Sequence, residues 1–452
     1  MENNQKIYGA VAQQLELIKR RRSEIPTAER LQTLQEKLYQ KAKQEPDYRF
    51  YVLYDKTFIT YVLKEAWLKV KATNSVSGID GQTVLDVENY GIEKYLQELG
   101  EELRKQTYQP QAIKRIYITK ANGKLRPIGI GCIKDRIVQT VCKFIIEPIF
   151  EADFEECSYG FRPSRSSKGA IQEIKENLQK DNTEIYDADL SAYFDTIPHN
   201  KLYKVLKMRI TDPRLLKLID KFLKVPIQEE GSLKGGKDNK IGVPQGGILS
   251  PLLANIYMNL IDKAVNITTG MFHKLGVKIV RYADDFVLMA KEMKAEALDK
   301  LKELLTRMEL KINEDKTRKL NAKDESFNFL GFTLRYDKDI HGRNTHYWNV
   351  IPSKNSVNKL KEKIRELLHS SLHFSPDKLV KKLNELLRGW LNYFDIKGVS
   401  YPMSAKREIR HYLNTALYQY YNRKSQRKSS LYGQQAMEKL ILKYRLIDPT
   451  KY

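Results

Sequence analysis

The sequence predicts an α+β protein with a mixed strand–helix centre and helices at both ends. Three observations carry that expectation. Arg281-Tyr282-Ala283-Asp284-Asp285-Phe286 joins two apolar runs, Val277–Val280 and Val287–Ala290, and reads as strand, tight turn, strand. Through the rest of the centre, apolar residues switch between period-two and helical spacing. From Lys354 onward they recur at helical spacing alone, with Lys and Arg on the other faces.

The elements follow in chain order. Residues 1–72 read as helical, with a break at Ile25-Pro26-Thr27 and a restart carrying Leu31, Leu34, Leu38 and Ala42. Phe58 to Val70 continues that pattern with Trp67. Ser75 to Gly81 is a turn-rich break, followed by a helix over Ile92–Leu103. Lys114–Ile118 and Leu125–Ile130 are strands joined by the Lys120–Lys124 hairpin loop. Asp135–Phe150 is a helix, Ile185–Leu190 a short apolar strand, and a helix starts at Lys201. Ile241–Gly247 is a glycine-rich loop before a helix over Leu252–Val265. After the Asp-Asp hairpin come a helix over Lys294–Met308 and a strand pair around Phe327–Tyr336. Three amphipathic helices close the chain, marked by Leu360/Ile364/Leu367/Leu368, by Leu379/Leu383/Leu386/Trp390/Phe394, and by Ile409/Leu413/Ala416/Tyr420.

Charge narrows the function class. The 452 residues carry a formal net charge of +23, which calls for an anionic partner, and nucleic acid is the usual one. Lys354 to Tyr452 holds 21 Lys and Arg against 8 Asp and Glu, a surplus of 13, so grip belongs to the end of the chain and the acids to its middle. No apolar run approaches the roughly 20 residues of a membrane-spanning helix, and Met1–Ala10 is not a secretion signal. The three cysteines, Cys132, Cys142 and Cys157, form no CxxC pair, and the seven histidines have no zinc spacing. The expectation is a reduced, cytoplasmic protein without structural zinc.

Several strings carry chemistry. Asp284 and Asp285 sit at the hairpin turn, and Asp187 and Asp189 share one face of the strand before it. Clustered carboxylates beside an apolar core supply the hard oxygen ligands of a two-metal phosphoryl-transfer site. Asp189 is placed at the strand end, because Phe194 follows five residues later where an aromatic would pack under an incoming sugar and reject a 2′-hydroxyl; the alternative is that Phe194 belongs to the core and Asp195 caps the next helix. Gly242 to Pro251 is a loop whose glycines let backbone approach a nucleotide, with Gln245 reaching its base or ribose. Lys120 and Arg126 flank a hairpin tip and suit a triphosphate. Lys316 suits a general acid for departing pyrophosphate. Phe329-Leu330-Gly331-Phe332 leaves room for a primer backbone. Arg423-Lys424-Ser425-Gln426-Arg427-Lys428, near Tyr418, Tyr420 and Tyr421, suits nucleic-acid contact with base stacking.

In this order the strings resemble the reverse transcriptases encoded by group II introns. The resemblance rests on Tyr282-Ala283-Asp284-Asp285, on Pro244-Gln245-Gly246-Gly247-Ile248-Leu249-Ser250-Pro251 and its continuation to Tyr257, on Tyr159-Gly160-Phe161-Arg162-Pro163, on Lys124-Leu125-Arg126-Pro127-Ile128-Gly129, and on Gly389-Trp390-Leu391-Asn392-Tyr393-Phe394. It covers roughly Tyr48 to the C-terminus. It implies a right-hand polymerase: a helical extension over 1–78, fingers and palm over 79–348, a helical thumb over 349–400 and a basic maturase-like segment over 401–452. It implies RNA-directed DNA synthesis with two Mg²⁺ ions (Mn²⁺ as a substitute) on Asp189, Asp284 and Asp285. Nucleotide contacts would fall on Lys120, Arg126, Phe194, Gln245 and Lys316, and primer–template contacts on Gly331, Arg162 and Trp390. RNA contacts would fall on Arg423, Lys424, Arg427 and Lys428. The expected partners are an RNA template, a DNA or RNA primer, dNTPs and a cognate group II intron RNA whose splicing the protein assists. The paired cysteines and histidines of the family's DNA endonuclease module are missing, so second-strand cleavage is not expected. Two alternatives remain: a free-standing relative recruited to host defence or CRISPR spacer acquisition, and an RNA-binding splicing factor without polymerase activity.

Overall fold

The computed structural model describes residues 25–73, 76–119, 125–229, 231–339, 345–423, 431, 433 and 435–452. Among them are the strands β1 (Ile113–Thr119), β2 (Leu125–Ile130), β3 (Glu184–Ala188), β4 (Ile227–Glu229), β5 (Ser232–Lys234), β6 (Lys278–Tyr282), β7 (Asp285–Ala290), β8 (Arg318–Asn321), β9 (Phe327–Phe329), β10 (Phe332–Lys338) and β11 (His346–Pro352). With the helices between and around them they make an α+β protein. The chain divides into two compact units. One holds Met1–Pro163, Asp189–Ile267 and Asp299–Asn313, and the other holds Ser164–Ala188, Thr268–Leu298 and Glu314–Tyr452.

The first unit is built on the helix Ile133–Glu151, buried along most of its length by Ile137, Val141, Ile145 and Ile149. Helices Thr27–Gln44 and Thr60–Ala72 pack on it. They do so through the sequence-read stripe of Leu31, Leu38 and Ala42, and through Val62, Ala66, Trp67 and Val70. Its sheet runs β2-β1-β4-β5. β1 and β2 form the expected antiparallel hairpin, closing at Thr119↔Leu125. β4 joins β1 in parallel at Ile113↔Ile227 and was not legible, being three residues long. Helix Pro213–Leu223 starts on Asp212, whose carboxylate accepts from the N–H groups of Arg214 and Leu215. The expected helix after the glycine loop runs Ser250–Asn266.

The second unit carries the antiparallel sheet β6-β7-β3-β8 and a smaller sheet β11-β10-β9. β11 was not anticipated: His346–Pro352 mixes polar and apolar residues, and pairing with β10 over its whole length decides its conformation. A boundary at residue 349 would cut this strand. The helical expectation for the end of the chain is met by Lys354–Ser370, Pro376–Phe394 and Met403–Arg423, with a further helix over Ala436–Tyr444. Ser353 and Ser375 start the first two of these by accepting from the N–H groups of Ser356 and Lys378. Leu360, Ile364 and Leu368, then Leu379, Leu383 and Leu387, then Ile409, Leu413 and Leu417 are buried, a stripe every fourth residue. No helix among the described residues is long and apolar enough to cross a membrane.

Candidate active site

The Asp-Asp hairpin is tighter than the sequence indicated. Tyr282↔Asp285 is the last pair between β6 and β7, so Ala283 and Asp284 alone form the turn and Asp285 opens β7. Ala283 sits at φ +60°, where a residue with a Cβ carries a penalty of about 1–2 kcal/mol. A buried arginine offsets it: Arg281, 0% exposed, donates Nη1–H to the Ala283 carbonyl at 2.7 Å. Asp284 is half-buried and Asp285 exposed.

Register places these acids at one end of the sheet. β3 pairs with β7 up to Ala188↔Phe286 and with β8 from Asp187↔Arg318. The C-terminal end of β3, the turn acids and the start of β8 therefore share an edge. Lys316, exposed in a turn, precedes β8 by two residues. Asp189 directly follows Ala188, and the strand stops before it rather than at Leu190 as the sequence suggested. In its own unit the half-buried Asp189 accepts a hydrogen bond on its carbonyl from the Asn313 N–H at 2.8 Å, and Leu190 bridges Ile312. Ala192, three residues on, also holds a left-handed backbone at φ +46°. Residues held in such sparsely populated backbone regions cluster at functional sites. Asp284 and Asp285 offer carboxylate oxygens, the ligand type that suits a hard divalent cation. Among the described residues, no three His, Cys, Asp or Glu side chains by themselves lie close enough to enclose an ion.

The glycine loop is fastened to two neighbours within the first unit. The Gly129 N–H of β2 donates to the Gln245 carbonyl at 2.7 Å. A Cβ on Gly246 would stand 2.3 Å from the Gly129 carbonyl oxygen, and Gly246 has φ +101°, so only glycine fits. On the other side, Val243 and Gly242 donate their N–H groups to the carbonyls of Phe194 and Ile197 at 2.6 and 2.8 Å. Gln245 Nε2–H donates to Asp195 Oδ2 at 2.9 Å. The half-buried Phe194 ring meets Tyr193 edge-on, and Tyr193 is anchored through its hydroxyl to the Ala254 carbonyl. Asp195, read from sequence as a helix cap, is thus a partner of Gln245. Arg126 is exposed on β2, and Lys120 lies outside the described residues.

Other expected contacts take different roles. Arg162 is not presented to nucleic acid: it is 8% exposed, paired with Glu151 at 2.7 Å, and donates Nη1–H to the Glu155 and Ser158 carbonyls. It braces its loop. Gly331 does not open space for a primer. It has φ +83°, and a Cβ there would meet Ser356 Oγ at 2.9 Å and the Phe394 ring at 3.5 Å, so helices occupy that space. Trp390 is 9% exposed; its Nε1–H is buried without a hydrogen-bond partner, and the ring lines a groove of about 420 Å³ with Lys359 and Lys363. Tyr420 and Tyr421 are buried, and the Tyr420 hydroxyl donates to the Ser371 carbonyl, which removes both from base stacking; Tyr418 is exposed. Arg423 is exposed at the end of its helix and lines a groove of about 350 Å³ with Arg365, His369 and Tyr412. Lys424, Arg427 and Lys428 lie outside the described residues. Arg281 was missed as a functional brace, although an arginine inside an otherwise apolar strand next to two acids was the available signal.

The family described as "Reverse transcriptase (RNA-dependent DNA polymerase)" matches residues 118–334, and "Group II intron, maturase-specific domain" matches residues 357–440. The chain is similar to "Protein YkfC" of Escherichia coli (strain K12), 33% identical over 369 residues, which are 72% of this chain and 93% of that protein. It is also similar to "Group II intron-encoded protein LtrA" of Lactococcus lactis subsp. cremoris, 38% identical over 195 residues. That match covers 42% of this chain and spans only 32% of LtrA. A solved structure titled "Partial Cas6-RT-Cas1--Cas2 complex" overlaps 57% of this chain and 42% of its own at 24% identity and a TM-score of 0.35, too low to carry an argument.

Proposed function

The chain belongs to the reverse transcriptases of the group II intron type, and from that premise we propose a residue-level account of its RNA-directed DNA synthesis. Asp284 and Asp285, with Asp189, would hold divalent cations, taken to be two Mg²⁺ ions with Mn²⁺ as a substitute. When bound, such cations supply the positive charge that offsets the triphosphate and the developing negative oxygens. The observation that carries the assignment is the two-residue turn: Asp284 is held at the sheet end by a strained Ala283 that the buried Arg281 braces. That rigidity is what a carboxylate needs to present its oxygens in one place.

The reaction joins the primer 3′-oxygen to the α-phosphorus of a dNTP as the bond to pyrophosphate breaks. Arg126 and Lys120 bind the triphosphate. Phe194 packs under the sugar and disfavours a 2′-hydroxyl, Gln245 touches the base or ribose, and Lys316 hands a proton to the leaving pyrophosphate. The helical extension is assigned to residues 1–78, of which 1–24, 74 and 75 lie outside the described residues, and the fingers and palm follow. The thumb begins at Ser353, after β11, and runs to about residue 400, and 401–452 continues it as the maturase-like segment. The basic helices from Lys354 onward grip template and primer and a group II intron RNA, so that the protein assists splicing as well as synthesis. Arg423 is the described member of that contact set.

Primer extension on an RNA template with dNTPs and Mg²⁺ tests the reading, wild type beside Asp284→Ala. Synthesis should be lost while RNA binding stays within about threefold, because phosphate contacts supply most of the affinity. Undiminished synthesis by Asp284→Ala would remove the assignment. Loss of RNA binding together with synthesis would mean that the acid is structural.

A further inference from the structure

We infer that Asp195 is a positioning residue for nucleotide selection, acting through Gln245. The inference rests on the proposed role of Gln245 as a nucleotide contact. Its basis is a division of labour around one side chain. The backbone on both sides of Gln245 is already fixed. Its carbonyl is tied to the Gly129 N–H at 2.7 Å. Gly246 is pressed against Gly129, and the Pro244 carbonyl accepts from Ser250 Oγ–H at 2.7 Å. The Val243 N–H is tied to Phe194 at 2.6 Å, which sets the loop in register with the proposed sugar contact.

What the backbone cannot fix is the Gln245 amide. A glutamine side chain has three rotatable bonds, and its oxygen and nitrogen ends can exchange by a half-turn. The Asp195 carboxylate removes that freedom. When ionised it only accepts hydrogen bonds, so the amide must turn its NH₂ toward Asp195, as seen at 2.9 Å. The Gln245 Oε1 is then committed as the outward acceptor, suited to a donor on the nucleotide: a sugar hydroxyl or a base N–H. Gly242 lies against the Asp195 backbone, where a Cβ would stand 3.1 Å from the Asp195 carbonyl oxygen, and its N–H donates to the Ile197 carbonyl at 2.8 Å, which ties the two segments together. Asp195 itself is exposed and touches the nucleotide only through Gln245 in this scheme.

The test is steady-state dNTP incorporation on an RNA template by the full chain, with KM and kcat measured separately. Asp195→Ala should raise the dNTP KM about fivefold, the worth of one exposed charge-assisted hydrogen bond, with kcat within about twofold. Asp195→Asn can present either its oxygen or its NH₂ to the Gln245 amide, so it should recover KM only in part, to a value between those of wild type and Asp195→Ala. On a Gln245→Ala background, Asp195→Ala should add nothing. An equal KM increase on both backgrounds overturns the positioning role and leaves the Gln245 reading intact. An unchanged KM in Gln245→Ala overturns the Gln245 reading, and the positioning role with it. A second arm does not need Asp195→Ala to fold. Gln245→Glu sets one carboxylate against another and should raise KM, and adding Asp195→Asn restores a donor–acceptor pair and should recover at least half of that loss. No recovery overturns the proposal.

Discussion

Gly246→Ala is the sharpest single perturbation of the nucleotide loop. At φ +101° a Cβ is strained whatever surrounds it, at a cost of about 1–3 kcal/mol. The same atom would lie 2.3 Å from the Gly129 carbonyl oxygen and 3.1 Å from the Gly129 nitrogen, both backbone atoms of β2 that cannot swing aside. Overpacking of that kind costs about 1–3 kcal/mol more. Keeping the loop in place therefore costs about 4 kcal/mol. Letting it peel from β2 sacrifices chiefly the Gly129–Gln245 hydrogen bond, about 1 kcal/mol. The loop takes the cheaper route. The melting temperature should fall by only about 2–4 °C. The dNTP KM should rise by about tenfold or more, because Gln245 leaves its position. Gly81→Ala is the control: φ is +71° and nothing lies within 4 Å of the new Cβ, so it carries strain alone and should leave KM unchanged. Thermal melts and primer extension read both quantities. A Gly246→Ala enzyme with wild-type KM would refute the claim that backbone contact with β2 holds Gln245 in place.

Three further expectations follow from the same structure. Phe194→Ala should raise ribonucleotide incorporation relative to dNTPs by about tenfold or more; unchanged discrimination would show that another group excludes the 2′-hydroxyl. Arg281→Met should cost about 2 kcal/mol, since a fully buried charged donor to the Ala283 carbonyl is lost, and should depress synthesis more than RNA binding; a wild-type melt and activity would refute the bracing role. Asp135 gives a pH signature: burial pushes its carboxyl up to about 6, against hydrogen bonds from the Tyr108 hydroxyl and the Gln111 N–H. The folded state then holds the proton more tightly than the unfolded chain. Stability falls as pH rises from about 4 to about 6, by about 3 kcal/mol for a shift from the ordinary value of 3.8, and the cost is fully present above that window. Asp135→Asn should flatten that part of the profile, and an unchanged slope in denaturant melts would show that another group titrates there.

Much of the fold was legible because it rests on periodic burial. The hairpin of β1 and β2, the helix Ile133–Glu151 and the three helices from Lys354 to Arg423 were readable, since their apolar spacing is the packing itself. β11 and the short β4 were not, because partners rather than propensity decide strands with mixed or few residues. The site shows the same division. Sequence alone determined the types and spacing of the acids, the glycine loop and the basic helices, and with them the class of chemistry, because catalysis needs those groups whatever surrounds them. Only the tertiary structure decided which polar groups are committed elsewhere. Arg162, Tyr420 and Gly331 look like nucleic-acid contacts in sequence, yet Glu151, the Ser371 carbonyl and Phe394 already occupy them, while Asp195 meets its partner Gln245 50 residues further on. A side chain's chemistry is written in its residue type, but its availability depends on what packs against it, and folding sets that at distances a linear pattern does not carry.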